Sequence, residues 1–203
     1  MQNHPQQTPT YRKTAVLVGL LFLTSTITFS IGSSLIQEYF SGENAQDLNL
    51  LSGVLLEAYT ALAVAAISLL LYPILKKYGK RLAPSYVSLR AIECIAILGV
   101  GWYFLRSKVW LENYDLLIYT FTSIGGIILS YLLYISRLVP KYLSLLGIIG
   151  YIVLLLGIPT DLSGLADLDS NTGILFFTPG GLFEIVLPLW LFIKGFGSTP
   201  RSS

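Results

Sequence analysis

Six long apolar stretches, at about residues 14–36, 49–75, 85–105, 115–136, 142–160 and 174–195, alternate with short polar segments. Each approaches or exceeds the roughly 20 residues a helix needs to cross about 30 Å of hydrocarbon. Apolar side chains occupy both parities of every stretch, whereas a membrane β-strand would alternate apolar with polar. The pattern predicts an all-α integral membrane bundle of six transmembrane helices, forming one domain over residues 14–196. Polar tails occupy 1–13 and 197–203. The linkers, such as Tyr78-Gly79-Lys80-Arg81-Leu82-Ala83-Pro84, are too short to fold by themselves. The second stretch exceeds the hydrocarbon thickness and is expected to tilt or project.

Composition agrees with this pattern. Of 203 residues 54% are hydrophobic and only 12% are charged, about half the charge of a soluble domain. A net charge of +2 gives no electrostatic footprint for nucleic acid, and the lone cysteine, Cys94, excludes a disulfide scaffold. A competing reading makes residues 1–33 a cleaved signal peptide, with Arg12-Lys13 as its basic start and Ser30-Ile31-Gly32-Ser33 as a small-residue site. Its apolar run is longer than the 7–15 residues usual for such a segment, so an uncleaved first span is expected.

Charge sets the orientation. The tails and the 2–3 and 4–5 loops hold Arg12, Lys13, Lys76, Lys77, Lys80, Arg81, Arg137, Lys141, Lys194 and Arg201, ten basic residues with no acid. The other side holds eight acids (Glu38, Glu43, Asp47, Glu112, Asp115, Asp161, Asp167 and Asp169) and two bases, Arg106 and Lys108. Basic loops stay cytoplasmic during insertion, so both termini are expected in the cytoplasm, with the chain in a bacterial plasma membrane.

Four charges remain inside the spans: Glu57, Arg90, Glu93 and Glu184. Each costs at least about 2.5–3.5 kcal/mol near the bilayer centre, so each is expected to face protein or water. With Pro179 taken as the start of the buried part of span 6, Glu184 lies about one and a half turns in, and Glu57 about two turns into span 2. Tyr86, Arg90, Glu93 and Cys94 share one face of span 3. Arg90 can snorkel to headgroups or pair with Glu93. The acids can be protonated and hydrogen-bonded, for instance to Thr24, Ser25, Thr26, Thr28 or Ser30 of span 1. Alternatively, all four charges line one polar cavity. Three acids to one base favour the cavity, because simple pairing leaves two carboxyls unmatched.

Other chemistry is largely missing. The single histidine, His4, lies in the N-terminal tail, which leaves no Ser-His catalysis and no H-E-x-x-H zinc site in the membrane. No aspartate lies inside a predicted span, Asp115 standing at the edge of the fourth among the loop charges, and no phosphate-binding glycine loop is present. Cys94 reads as a packed core thiol, although Arg90 is one turn away. Asp167-Leu168-Asp169-Ser170-Asn171-Thr172-Gly173 begins like a calcium loop, but its glycine falls one position late and Thr178 stands where a bidentate Glu is required. No cofactor and no metal are expected. Gly125-Gly126 and Ser130 in span 4, with Gly147 and Gly150 in span 5, have the spacing of close helix contacts. Tyr11, Tyr39, Tyr72, Tyr78, Trp102, Tyr103, Trp110, Tyr114 and Tyr142 sit at span ends as interfacial anchors.

Four stretches, RKTAVLVGLLFL, LLYPILKKYGKRLAPSYVSLRAIE, YLLYISRLVPKYLSLLGIIG and FEIVLPLWLFIKGF, resemble in order a bacterial membrane family known as domain of unknown function 4386. The resemblance implies a bacterial multi-spanning protein and an uncleaved first span. It implies no activity and transfers no role to Arg90, Arg137, Pro140, Glu184, Trp190 or Lys194; Glu57 lies outside the similar stretches. The expected function is a non-enzymatic membrane protein whose buried Glu/Arg site binds or passes a small solute, a lipid headgroup or a proton. A second class is an accessory or regulatory subunit, with a membrane-protein partner or a second copy bound and the basic 2–3 loop on a partner or anionic lipid. A third is a lipid-modifying enzyme with Glu184 as general base.

Overall fold

The computed structural model describes residues 9–43, 45–166, 168 and 173–197. Six helices follow one another: α1 (Pro9–Ser41), α2 (Asp47–Leu75), α3 (Leu82–Ser107), α4 (Tyr114–Ser136), α5 (Lys141–Leu162) and α6 (Ile174–Ile193). All six are long and apolar enough to cross a membrane, and no strand occurs among the described residues. Continuous helix is what hydrocarbon demands, because an unpaired backbone group there has no water to bind. The acidic 167–173 loop lies outside the described residues except for Leu168 and Gly173, and His4 and Arg201 lie outside them too.

The last helix begins where the apolar pattern places it, at Ile174, so Pro179 is not its N-terminus, and Pro179 and Pro188 both lie inside the helix. Its buried residues nevertheless begin at Gly180, beside Pro179. Residues 174–178 are apolar apart from Thr178, whose hydroxyl bonds back to the Ile174 carbonyl at 2.6 Å. Extending the helix toward the N-terminus satisfies more backbone than a start at the proline would. Pro84, by contrast, sits in the first turn of α3, where its missing N–H costs no helical hydrogen bond.

The helices form a closed ring. Each packs against its neighbours in sequence, and α6 returns to α1. Short loops make sequential helices antiparallel neighbours, and small residues let them approach. Gly126 of α4 faces the Tyr151 ring of α5, Gly147 of α5 faces Ser130 of α4 and Phe183 of α6, and Gly150 of α5 meets the backbone of Gly180 on α6. The small residues read from spans 4 and 5 are therefore contact points. Ring closure is fixed by Gly19 against Pro188 and Leu191, and by Arg12, whose Nη2 donates to the Phe192 carbonyl at 2.5 Å.

Both described ends of the chain lie at one end of the ring, with the 2–3 and 4–5 loops: Lys77 Nζ donates to Tyr11 OH at 2.7 Å, and Gly197 N donates to the Leu138 carbonyl at 2.7 Å. The Tyr11 hydroxyl holds the Lys77 ammonium above its usual pKa. At the opposite end, Lys108 Nζ pairs with Asp47 at 2.6 Å, which raises the lysine's pKa.

The core is unequal between the two ends. The terminal half is filled by one large cluster running from Ala15 and Val18 through Leu71, Leu132 and Leu143 to Leu187 and Leu191. The opposite half divides into two smaller clusters, one around Phe104, Tyr114 and Ile118 and the other around Leu116, Tyr119, Ile158 and Leu168. The outer surface is apolar, with Leu62, Ile95 and Ile193 among the exposed large side chains. Trp102 and Tyr142 are exposed near helix ends, where an interfacial anchor belongs. Tyr114 and Trp110 do not fit that expectation: Tyr114 is buried, and both join Phe40 and Phe104 in an aromatic cluster in which Trp110 stacks on Phe104 at 5.8 Å.

Candidate functional site

At 1.5 Å per residue, Glu184 lies about 15 Å into α6, ten positions after Ile174. Glu57 is likewise ten positions after Asp47 at the start of α2. Starting α6 at Ile174 moves Glu184 deeper than the proline-based reading and keeps the two acids level. Glu93 sits near the middle of α3, which runs the other way, with Arg90 one turn before it.

A cavity of about 370 Å³ occupies the centre of the ring, lined by residues from all six helices. Arg90, Glu93 and Glu184 all reach it. Arg90 and Glu93 are almost fully buried and form an ion pair at 2.5 Å between Nη1 and Oε2. Thr122 of α4 donates to the other Glu93 oxygen, also at 2.5 Å. The guanidinium stacks over the Tyr86 ring at 5.5 Å, and Gly125 of α4 leaves it room, since a Cβ there would lie 3.2 Å from Nε. Arg90 therefore pairs with Glu93 and does not snorkel out along its stem.

Glu184 faces the same space from α6. Tyr151 OH donates to its Oε1 at 2.9 Å, and Thr26 Oγ1 to its Oε2 at 3.0 Å. Thr26 is one of the span-1 hydroxyls foreseen as a carboxyl partner. No cation lies within ion-pair distance of Glu184 among the described residues. Serine and threonine hydroxyls (Ser25, Ser30, Ser33, Thr60) and the rings of Phe22, Phe29, Tyr119 and Phe177 complete much of the wall.

Glu57 stands apart. It does not line the cavity; it is buried beneath Gly32 of α1, where a Cβ would come within 3.1 Å of its Cγ, and neither carboxyl oxygen has a hydrogen-bond partner among the described residues. Its nearest electrostatic company is Asp115 and Tyr114 of α4. The structure thus brings together Arg90, Glu93 and Glu184 and leaves Glu57 outside. Cys94 is buried as a free thiol against the α2–α3–α4 core.

The sequence does not mark two cavity-wall residues, Tyr151 and Thr122, or the acid beside Glu57. Asp115 reads as a loop charge because it stands at the very start of the apolar run, yet it is buried in the first turn of α4. Tyr151 gave a signal, a tyrosine in mid-span flanked by Gly147 and Gly150, far from either interface. Thr122 gave none, since threonine is common in membrane helices that bond their own backbone.

The cavity is open on one side. Toward the end opposite the termini, Ser30 and Ser34 of α1 are exposed, and Gly181 of α6 has nothing within 4 Å of where its Cβ would be. All three line the cavity, so a cleft between α1 and α6 leads into it. The terminal end is closed by the large apolar cluster, to which Tyr86 and Tyr151 belong. Such a chamber can hold a small molecule against one ion pair and one further carboxyl.

No curated protein and no solved structure matches the chain. A family model described as a domain of unknown function, DUF4386, matches residues 17–115 and 104–195. These stretches take in nearly all of the helix ring together with Arg90, Glu93 and Glu184, and the chain belongs to that family.

Proposed function

We propose that this protein is a non-enzymatic membrane protein that binds, and passes across part of the bilayer, a small solute held in the central cavity. The observation that carries this reading is the convergence of Arg90 and Glu93 from α3 with Glu184 from α6 on one space of about 370 Å³ at mid-depth. Burying three ionisable groups in an apolar ring is costly unless the site is used, and the volume falls in the usual range for small-molecule pockets. The position of the plug and the cleft supports one-sided access, the resting arrangement of a carrier or receptor. The ten-to-none basic bias supports a bacterial plasma-membrane protein with both ends in the cytoplasm.

Thiol accessibility tests the reading. In a Cys94→Ala background, Ser33→Cys and Gly181→Cys place thiols on the cavity wall, Ile95→Cys places one on the exposed apolar face, and Ser130→Cys buries one between α4 and α5. A charged methanethiosulfonate reagent should modify the first two and spare the last two, because it reacts only where water carries it. Inert Ser33→Cys and Gly181→Cys thiols would remove the accessible cavity, and the reading with it.

A further inference from the structure

The charge and the hydrogen-bonding sense of the cavity wall define a class of ligand. Arg90 is matched by Glu93 in a direct ion pair, with Thr122 on the remaining carboxylate oxygen. Glu184 has two hydroxyl donors and no cation, so the wall carries one carboxylate in excess of its bases. A carboxyl without a paired base in a low-dielectric chamber favours the arrival of a cation, whose charge would in turn favour its ionised form.

The hydroxyls add to the bias. Ser25 donates to the Phe22 carbonyl at 2.9 Å, Ser30 to the Thr26 carbonyl at 3.0 Å, and Ser34 to the Ser30 carbonyl at 3.0 Å. Thr60 donates to the Ser25 or Leu56 carbonyl, at 3.1 and 3.2 Å. With their hydrogens engaged by helix carbonyls, these side chains offer lone pairs to the cavity. The wall is therefore rich in acceptors and suits a ligand that donates.

The aromatic rings separate an organic cation from a bare metal ion. Tyr119 packs edge-on against Phe29 at 6.2 Å and Phe177 at 5.0 Å, joining α1, α4 and α6 on one wall, while Phe22 lines the α1 side. Rings and aliphatic side chains cannot replace the hydration shell of a hard cation, which takes about six or more oxygens. Among the described residues, no group of three or more His, Cys, Asp or Glu is placed to hold a metal. An alkyl- or arylammonium ion is the better fit: its N–H groups donate to Glu184 and the hydroxyls, its charge is attracted to ring faces, and its apolar body covers the aromatic wall.

We propose that the cavity is a binding site for an organic ammonium ion, with Glu184 as its counter-ion and the Phe29–Tyr119–Phe177 wall around its apolar part. This rests on the binding function proposed above. The opening beside Ser30, Ser34 and Gly181 would admit such an amphiphile between α1 and α6.

Three probes of similar size and different charge test it: 2-phenylethylammonium, 2-phenylethanol and phenylacetate, titrated at neutral pH into the purified full chain in detergent, with heat of binding and melting temperature as readouts. The ammonium ion should bind at least about tenfold more tightly than the alcohol, and phenylacetate should not bind measurably. Glu184→Gln keeps the shape of the side chain and should reduce ammonium affinity roughly tenfold or more, while affinity for the alcohol changes little. Asp47→Asn, a charge change at the exposed Lys108 pair, should leave all three affinities unaltered. If Glu184→Gln fails to yield folded protein, Phe177→Leu serves in its place and should weaken ammonium binding by a few-fold. Equal binding of ammonium ion and alcohol, preferential binding of phenylacetate, or no binding of any probe would overturn the ammonium assignment. The thiol-access experiment then decides separately whether the cavity itself stands: reactive Ser33→Cys and Gly181→Cys thiols with no ammonium preference would retain the binding site and discard only its ligand class.

Discussion

Arg90 is the residue on which the buried charge balance turns. Its guanidinium neutralises Glu93, stacks on Tyr86 and fits beside Gly125, so its removal leaves a carboxylate in apolar surroundings with the Thr122 hydroxyl as its remaining hydrogen-bond donor among the described residues. Arg90→Leu should therefore destabilise the bundle by about 3–5 kcal/mol, as loss of one member of a buried pair does. The double variant Arg90→Leu/Glu93→Leu should recover most of that loss, because the unpaired charge is gone. Thermal unfolding in detergent micelles reads both, and a double variant as unstable as the single one would show that the ion pair is not the source of the effect. Which charges lie within spans was legible in the sequence, because a charge inside an apolar run is conspicuous. Which of them meet was not. Glu57 and Glu184 stand at the same helical position and were indistinguishable by depth, yet one faces the cavity and the other faces Gly32. Rotation about a helix axis is decided by packing, and no helix here has apolar and polar faces distinct enough to reveal it from the sequence.

Among the elements, α6 keeps the expected limits, but Pro179 does not play the expected part of a helix start. A proline ordinarily marks a helix start, but hydrocarbon penalises free backbone more than it penalises one missing hydrogen bond, and α6 runs through both Pro179 and Pro188. The contact that seats this helix is the backbone-to-backbone approach of Gly150 and Gly180, where a Cβ at position 150 would lie 2.5 Å from Gly180 N. Gly150→Val should force α5 and α6 apart and cost about 1–3 kcal/mol, as overpacking does. At Gly99 nothing lies within 4 Å of the Cβ position, so Gly99→Ala should leave stability unchanged or raise it slightly. Melting temperatures of the two variants compare the sites directly; equal effects would mean that the α5–α6 approach is not tight. The glycine spacing in spans 4 and 5 announced close packing correctly, but it could not say that Gly150 contacts α6 and not α4.

For the whole molecule, the sequence disclosed the number and approximate limits of the helices, since crossing a bilayer imposes a length and a composition that few other folds share. It did not disclose the ring, because closure of α6 on α1 depends on the Gly19–Pro188 and Arg12–Phe192 contacts between residues far apart in the chain. The basic residues at the terminal end predict that this end faces the cytoplasm. With Cys94 replaced by Ala, an impermeant maleimide added to intact cells should label Ser41→Cys in the 1–2 region and not Lys80→Cys in the 2–3 loop; the reverse pattern would invert the protein. On this reading the polar centre of the ring is wet and closed on one side only. Hydroxyl-radical footprinting of the unmodified protein tests this most directly, because oxidation follows residues in contact with water. Phe29 and Phe177 on the cavity wall should be modified, and Tyr86 and Phe183 in the apolar plug should be protected. Protection of Phe29 and Phe177 to the same degree as Phe183 would contradict it.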